Sequence, residues 1–137
     1  MLSFSLNEVH MTLRKALCGR GLAFGAADDW GAVAARMSAA GIDGVALVLA
    51  QDNEALYRLL TEADARISRG LDPQDGASVL QVALHAHLIG ASYDRQRAQA
   101  IATESWQAAL TWAQNTYVPE SDTSRLGGAG AGTNDND

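Results

Sequence analysis

Apolar residues recur at helical spacing along most of the chain, beginning near its N-terminus. The first segment follows one face of a 3.6-residue period, with apolar positions at Leu6, Val9, Leu13, Ala16 and Leu17. Ahead of it, Ser5 and Glu8 have the spacing of a capping box, in which each side chain binds the backbone amide of the other residue. Because Gly19 follows as a stop signal, the sequence predicts a helix over residues 6–18.

Three further segments repeat this helical spacing along the chain. They cover residues 24–40, residues 53–69 and residues 95–116, the last most clearly from Thr103 onward. Asp28 and Asp29 are expected in the first turns of the second helix, where acidic side chains complement the helix dipole. Asp52 is a favourable cap for the third helix.

Two segments leave the type of element open or point to a strand. Residues 45–50 are apolar on all sides, which fits either a buried strand or a short buried helix. Over residues 79–89, apolar and other side chains alternate, which is strand periodicity. We therefore predict a small, mostly helical α+β domain with one or two strands. The alternative is an all-α bundle, which holds if residues 79–89 are helical.

The length of the chain sets the domain organisation. With 137 residues and a mass of 14.4 kDa, the chain can build one hydrophobic core but not two. We expect a single globular domain over residues 1–118 and a Gly-rich, acidic tail over residues 119–137. Within the tail, residues 117–126 carry apolar anchors and are expected to pack on the domain or on a neighbouring subunit. Residues 133–137 are expected to be mobile.

Composition excludes several classes of protein. Ten basic residues against 16 acidic ones give a net charge of −6, which is unfavourable for nucleic-acid binding because that binding depends on phosphate neutralisation. The longest apolar run, residues 45–50, is far too short to span a bilayer. The single cysteine, Cys18, excludes an internal disulfide. Together with the absence of a signal-like N-terminal segment, it predicts a cytoplasmic protein without a membrane partner.

Both ends of the chain resemble an uncharacterised family of bacterial proteins that carries a domain-of-unknown-function label. At the N-terminal end the resemblance is carried by Ser5-Leu6-Asn7-Glu8, Arg14-Lys15-Ala16, Gly19-Arg20-Gly21-Leu22 and Trp30-Gly31. At the C-terminal end it is carried by Thr116-Tyr117-Val118-Pro119, Ser124-Arg125-Leu126, Gly128-Ala129-Gly130-Ala131-Gly132 and Asp135-Asn136-Asp137. The resemblance supplies no activity. It implies that the tail is a family feature and that family members have a larger middle section.

His85 and His87 form the sharpest metal-like pattern in the sequence. On a strand, both imidazoles would project from one face and could share Zn²⁺ or Fe²⁺. On a helix they would lie about 200° apart and could not share an ion. The alternative is two histidines on a half-exposed strand face. A third ligand would have to come from elsewhere in the chain, the candidates being Glu8, His10, Cys18 and Asp94.

Other candidate groups have simpler interpretations. Cys18 and His10 lie about 12 Å apart along a helix, too far for a nucleophile and its base, so Cys18 is interpreted as a small buried residue. Asp28 and Asp29 point about 100° apart, which favours a solvated first turn over an acid–base pair. The glycines of residues 127–132 could form an anion nest, and residues 134–137 could gather a hard cation. A disordered tail is the alternative to both interpretations.

Two functions from different classes remain open at this stage. The first is a non-catalytic accessory or interaction protein that self-associates, with a homodimer favoured. One reason is that the sequence contains no convincing group of catalytic residues. The other is the three tryptophans, of which Trp106 and Trp112 must face different surfaces of one helix. The second is a small metal- or metabolite-dependent enzyme that uses His85 and His87. No cofactor is predicted, and the small-molecule ligand is left unspecified.

Overall fold

A computed structural model describes residues 2–95 and 98–116, and most of this part of the chain is helical. Its elements in chain order are β1 (Leu2–Phe4), α1 (Leu6–Gly19), α2 (Phe24–Ala39), α3 (Gly44–Leu49), α4 (Asn53–Ser68), α5 (Val79–Leu88), β2 (Ala98–Ile101) and α6 (Thr103–Ala113). One turn of 3₁₀ helix, Gln114–Thr116, follows α6. The prediction of a mostly helical domain is confirmed.

Helix α1 begins where the sequence predicts. Ser5 Oγ accepts the backbone N–H of Glu8 at 3.0 Å, and the Glu8 carboxylate accepts the backbone N–H of Ser5 at 2.9 Å. Both halves of the capping box therefore satisfy amides that the first turn of the helix leaves without partners. Beyond the C-terminal end of α1 the chain turns at Gly21, whose backbone φ is 99°. Residues other than glycine rarely adopt this conformation.

The strand predicted for residues 79–89 is wrong, because Val79–Leu88 forms helix α5. Ser78 and Gln81 make a second capping box, with bonds of 2.7 Å and 3.2 Å between their side chains and backbone amides. The buried positions have helical spacing: Leu80, Ala83 and Leu84. The all-α alternative therefore describes the core of this domain better than the α+β prediction.

The two strands of the described part form a short antiparallel pair. Leu2 lies opposite Ile101, and Phe4 lies opposite Ala98. Strand β2 overturns the helix predicted from residue 95, since helix α6 begins only at Thr103. The pair packs onto the helical core through β2, which contacts α2 and α3.

The sequence left strand and helix open for residues 45–50, which form most of the short helix α3, with Ala50 as its C-cap. Asp43 caps this helix, with Oδ1 accepting the N–H of Ala46 at 3.0 Å. Its second oxygen, Oδ2, accepts from the backbone N–H of Ala102 and from Ser105 Oγ, both at 2.9 Å. One carboxylate thus caps α3 and also holds the start of α6.

Helix α2 lies at the centre of the bundle. It packs against α1, α3, α4 and α5, while α1 also packs against α6. Trp30 on α2 is fully buried, and its indole N–H donates to the carbonyl of Leu56 on α4 at 3.2 Å. Small residues let neighbouring helices approach α2 closely. One example is Gly44 on α3, because a Cβ at that position would lie 2.5 Å from the carbonyl oxygen of Ala34 on α2.

The two tryptophans of α6 face different surroundings, as predicted. Trp106 is buried and stacks on Phe4, with ring centroids 3.8 Å apart. Trp112 is 41 % exposed and has the Arg20 guanidinium 6.0 Å from its ring centroid. One indole therefore fills the core while the other lies at its edge.

Within residues 2–95 and 98–116, no helix combines the length and the apolar character that crossing a bilayer takes. The predicted domain boundary at residue 118 and the tail over residues 119–137 lie outside the described residues. The same holds for the packing predicted for residues 117–126 and for the mobility predicted for residues 133–137.

Candidate functional site

A cleft of about 560 Å³ lies between α1, α2, the end of α5 and the loop that follows α5. We name it the α1–α2–α5 cleft. The polar side chains that line it are Asn7, His10, Arg36, His87, Tyr93 and Arg95. Its volume is in the range of pockets that hold small organic molecules.

His10 on α1 is held by a carboxylate on α2. Its Nε2 lies 2.9 Å from Oδ1 of Asp28, and the same oxygen accepts from Arg14 Nη1 at 3.1 Å. Since a carboxylate only accepts, the ring nitrogen that it contacts carries the proton. In the neutral ring, Nδ1 of His10 is then the basic nitrogen.

His87 on α5 has the same arrangement with the next residue of α2. Its Nε2 lies 3.0 Å from Oδ1 of Asp29, which again makes Nδ1 the basic nitrogen of the neutral ring. The side chains of His10 and His87 are 29 % and 26 % exposed, so both rings are partly shielded and still reachable from solvent. The cleft is therefore lined by two imidazoles, each oriented by its own carboxylate.

The two carboxylates diverge because they are consecutive residues of one helix. Their directions differ by about 100°, so Asp28 turns toward α1 and Asp29 toward α5. The solvated first turn expected for this pair is wrong, since α2 begins at Phe24 and places both residues beyond its first turn. The sequence argument against mutual pairing does agree with the structure, in which each aspartate binds a different histidine.

The charge on Asp28 is set by competing effects. Partial burial disfavours the charged form and raises the pKa of Asp28, whereas the hydrogen bonds from Arg14 and His10 lower it. The hydrogen bonds and the nearby positive charges prevail, so the pKa of Asp28 is below its ordinary value. Asp28 is therefore ionised at neutral pH and able to orient His10.

Close packing of α1 on α2 fixes the position of His10. Gly31 lies directly against it, and a Cβ built there would be 2.6 Å from the His10 carbonyl oxygen and 2.9 Å from its ring Cδ2. Either distance is shorter than an ordinary nonbonded contact, so only glycine fits without displacement. The absence of a side chain at Gly31 thus lets His10 approach Asp28.

The other end of the cleft is basic and aromatic. The Arg36 guanidinium lies 4.5 Å from the centroid of the Tyr93 ring, and that of Arg95 lies 5.0 Å from it. Arg36 Nη2 also donates to the carbonyl of Ala91 at 2.5 Å. These contacts hold the loop after α5 against α2.

The structure separates the two histidines of the predicted metal site. On helix α5 they project about 200° apart, and His85 lines a different pocket, which we name the α4–α5 pocket. This pocket has a volume of about 300 Å³ and is also lined by Glu62, Gln81 and Leu84. The shared-face geometry on which the metal hypothesis depended is therefore absent for His85 and His87.

The candidate third ligands do not complete such a site. Glu8 caps α1 and His10 binds Asp28. Over the two described ranges, no three His, Cys, Asp or Glu side chains come together as a metal site requires. Asp94 belongs to the loop after α5 and makes an interaction of its own.

Cys18 agrees with its interpretation as a structural residue. It is half-buried and packs against the core. Burial raises the pKa of its thiol, an effect that Arg14 offsets in part and Asp28 increases. Since the thiolate is the reactive form, Cys18 is a poor nucleophile at neutral pH.

Sequence reasoning missed three residues that line the cleft, Arg36, Tyr93 and Arg95, and gave no functional role to Asp28 and Asp29, which hold its two histidines. The signal available for the aspartates was their divergence of about 100°, which points one carboxylate to each neighbouring helix. No pattern in the sequence marks the other three. The anion nest of residues 127–132 and the cation site of residues 134–137 lie outside the described residues.

Comparison with known proteins agrees with the resemblance seen in the sequence. Residues 4–100 match a family described as "Protein of unknown function (DUF3726)". The matched range contains both histidine–aspartate pairs and ends before the tail motif. No curated protein and no solved structure matches the chain.

Proposed function

The chain belongs to the DUF3726 family of proteins of unknown function, and we propose that it binds a small molecule in the α1–α2–α5 cleft. In this proposal His10 and His87 transfer protons to and from the bound molecule. The observation that carries the proposal is that two imidazoles, each hydrogen-bonded to its own aspartate, line one cleft.

Such a pair has the parts that general acid–base catalysis needs. Each aspartate holds its imidazole in one tautomer and stabilises the cation that forms when Nδ1 accepts a proton. With two imidazoles on one molecule, one can accept a proton while the other donates one. The reaction class is therefore a proton transfer on a small metabolite, such as an isomerisation or an elimination.

This proposal reverses the order of the two functions drawn from the sequence. The enzyme hypothesis moves ahead of the interaction protein, and His10 takes the place of His85 as the partner of His87. We keep a cytoplasmic location as part of the proposal, which the unpaired Cys18 supports.

A fragment screen monitored by ¹H–¹⁵N NMR tests this function. We expect compounds that bind to shift the resonances of His10, His87 and Ala91 together, because these residues line one cleft. His87→Ala should weaken the binding of such compounds by about tenfold or more, the loss expected when a buried hydrogen bond to a ligand is removed.

The same helix offers a matched control. His85→Ala removes an imidazole two residues away that lines the α4–α5 pocket instead. It should leave binding in the α1–α2–α5 cleft unchanged. Compounds that bind equally well to wild type and His87→Ala would contradict the proposed role of His87.

We propose self-association through α5 as a second function, which keeps the interaction protein and its homodimer. Val79, Val82 and Ile89 are between 49 % and 55 % exposed and follow one face of the helix. Val79 and Val82 also line an apolar groove with Ile42 and Ala40. One surface thus supplies both a ridge and a groove, as a two-fold contact between identical chains needs.

Light scattering after size-exclusion chromatography tests the dimer. The wild type should have twice the chain mass of 14.4 kDa, and Val82→Glu should be monomeric. Leu110→Glu places the same charge at an exposed apolar residue of α6 and should remain dimeric. A monomeric wild type at all concentrations would rule out this function.

The sequence also suggested a metal-dependent enzyme that uses His85 and His87. Elemental analysis of purified protein tests this function. About one Zn²⁺, Fe²⁺ or Mn²⁺ per chain, lost in both His85→Ala and His87→Ala, would support a shared site. We expect no such ion, because the helix turns the two imidazoles away from each other.

A further inference from the structure

We infer that the molecule bound in the α1–α2–α5 cleft carries an oxyanion, a carboxylate or a phosphate, which Arg36 and Arg95 hold while His10 and His87 act on the rest of the molecule. This inference rests on the proposed function and names the ligand class of the same cleft.

The lining of the cleft has the opposite charge to the protein as a whole. The chain has 16 acidic and 10 basic residues. Among the described residues that line the cleft, however, two are arginines, two are histidines and none is acidic. Asp28 and Asp29 lie behind the histidines, where His10, Arg14 and His87 already bind them.

The two arginines have no carboxylate partner in the described part of the chain. Both guanidiniums contact the Tyr93 ring, at 4.5 Å and 5.0 Å from its centroid, and neither makes an ion pair with a described residue. The two positive charges beside this ring repel each other, so an anion that approaches both is favoured. Asp94 follows Tyr93 in the chain, but it does not line the cleft and makes an interaction of its own.

Arg36 also has a hydrogen-bond donor without an acceptor. Its Nη2 binds the carbonyl of Ala91, whereas its Nε is buried and has no partner among the described residues. A buried donor of this kind costs free energy until it finds an acceptor. Carboxylates and phosphates bind arginine through paired N–H donors, so the incompletely bonded guanidinium of Arg36 suits an oxyanion.

The arrangement divides the cleft into two functional ends. The arginine end binds a charge that does not change during proton transfer, and the histidine end faces the part of the molecule that reacts. Binding energy from a remote charged group is an effective means of orienting a small substrate. The volume of about 560 Å³ leaves room for both ends of a metabolite-sized molecule.

Matched probe pairs test the inference by isothermal titration calorimetry and ¹H–¹⁵N NMR. The pairs are succinate with succinamide, and glycerol 3-phosphate with glycerol, each at up to about 10 mM to reach weak affinities. We expect at least one anion to bind and to shift His10 and His87, and its neutral partner to bind about tenfold or more weakly. Comparing the two pairs distinguishes a carboxylate from a phosphate.

Variants locate the anion. Arg36→Met keeps most of the side-chain length and removes the charge, so it should weaken anion binding by about tenfold or more. Arg95→Met should weaken anion binding to a similar extent. Because Arg95 lies in the loop after α5, this substitution disturbs the folded core less than Arg36→Met does. Arg69→Met at the exposed end of α4 removes the same charge far from the cleft and should have no effect.

The outcomes separate this inference from the proposed function. If succinamide or glycerol shifts His10 and His87 as strongly as its anionic partner, the cleft binds small molecules but the oxyanion inference is overturned. Anion binding that survives both Arg36→Met and Arg95→Met overturns it as well. If no probe and no fragment shifts either histidine, both the inference and the proposed function fail.

Discussion

Gly31→Ala links the packing of the bundle to the geometry of the cleft. The added methyl group would lie 2.6 Å from the His10 carbonyl oxygen, about 0.7 Å inside the shortest ordinary C–H···O contacts of about 3.3 Å. Helix backbone cannot yield locally, so α1 and α2 must separate. Overpacking of this kind costs about 1–3 kcal/mol, and the higher helix propensity of alanine returns at most about 1 kcal/mol.

We therefore expect the free energy of unfolding to fall by up to about 2 kcal/mol relative to wild type in urea titrations. The methyl group would also lie 2.9 Å from the His10 ring, so the 2.9 Å bond from His10 to Asp28 should lengthen and the His10 resonances should shift. Gly25→Ala is the matched control, since nothing lies within 4 Å of a Cβ at that position of α2. It should be neutral or slightly stabilising. Equal stability of the two variants would refute the close approach of α1 and α2.

Three further changes test other contacts of the structure. Ser5→Ala should lower the unfolding free energy by about 1 kcal/mol in urea, because it removes the cap of α1, and an unchanged midpoint would contradict the capping box. Asp43→Ala should cost about 2–4 kcal/mol in the same assay, because one carboxylate serves three donors, and a loss under about 1 kcal/mol would show that these bonds are not made. The pKa of Asp28 is lowered on folding, so its stabilising effect is present above the unfolded pKa of about 4 and is lost as the pH falls through the folded value. Acid titration of stability should therefore be less steep below about pH 4 for Asp28→Asn than for wild type.

Local signals in the sequence were enough to predict the first helix. The capping box of Ser5 and Glu8 is a contact between residues three positions apart, and the apolar face behind it follows one period. Helix α5 was missed although it begins with the same signal, Ser78 and Gln81. The alternating Leu80, Val82 and Leu84 concealed it, since Ala83 between the last two counts as apolar on a helix and as neutral on a strand.

The candidate site depends on contacts that no local pattern encodes. His87 and Asp29 are 58 residues apart, and they meet because α2 packs against α5. In the same way, the packing of α2 on α1 brings His10 to Asp28. The sequence showed that consecutive aspartates diverge, but not which helices would receive them. The pattern of His85 and His87 suggested a shared site because the strand period was assumed, and the helical period separates them.

Side-chain ¹H–¹⁵N NMR of the histidines shows whether one cleft holds two imidazoles, each oriented by its own aspartate. At about pH 8.5, where an ordinary imidazole is neutral, we expect His10 and His87 both to carry their proton on Nε2. We also expect one bound organic acid to shift both rings and to leave His85 unchanged. A proton on Nδ1 of either ring, or a ligand that shifts His85 and not His10, would contradict this arrangement of the cleft.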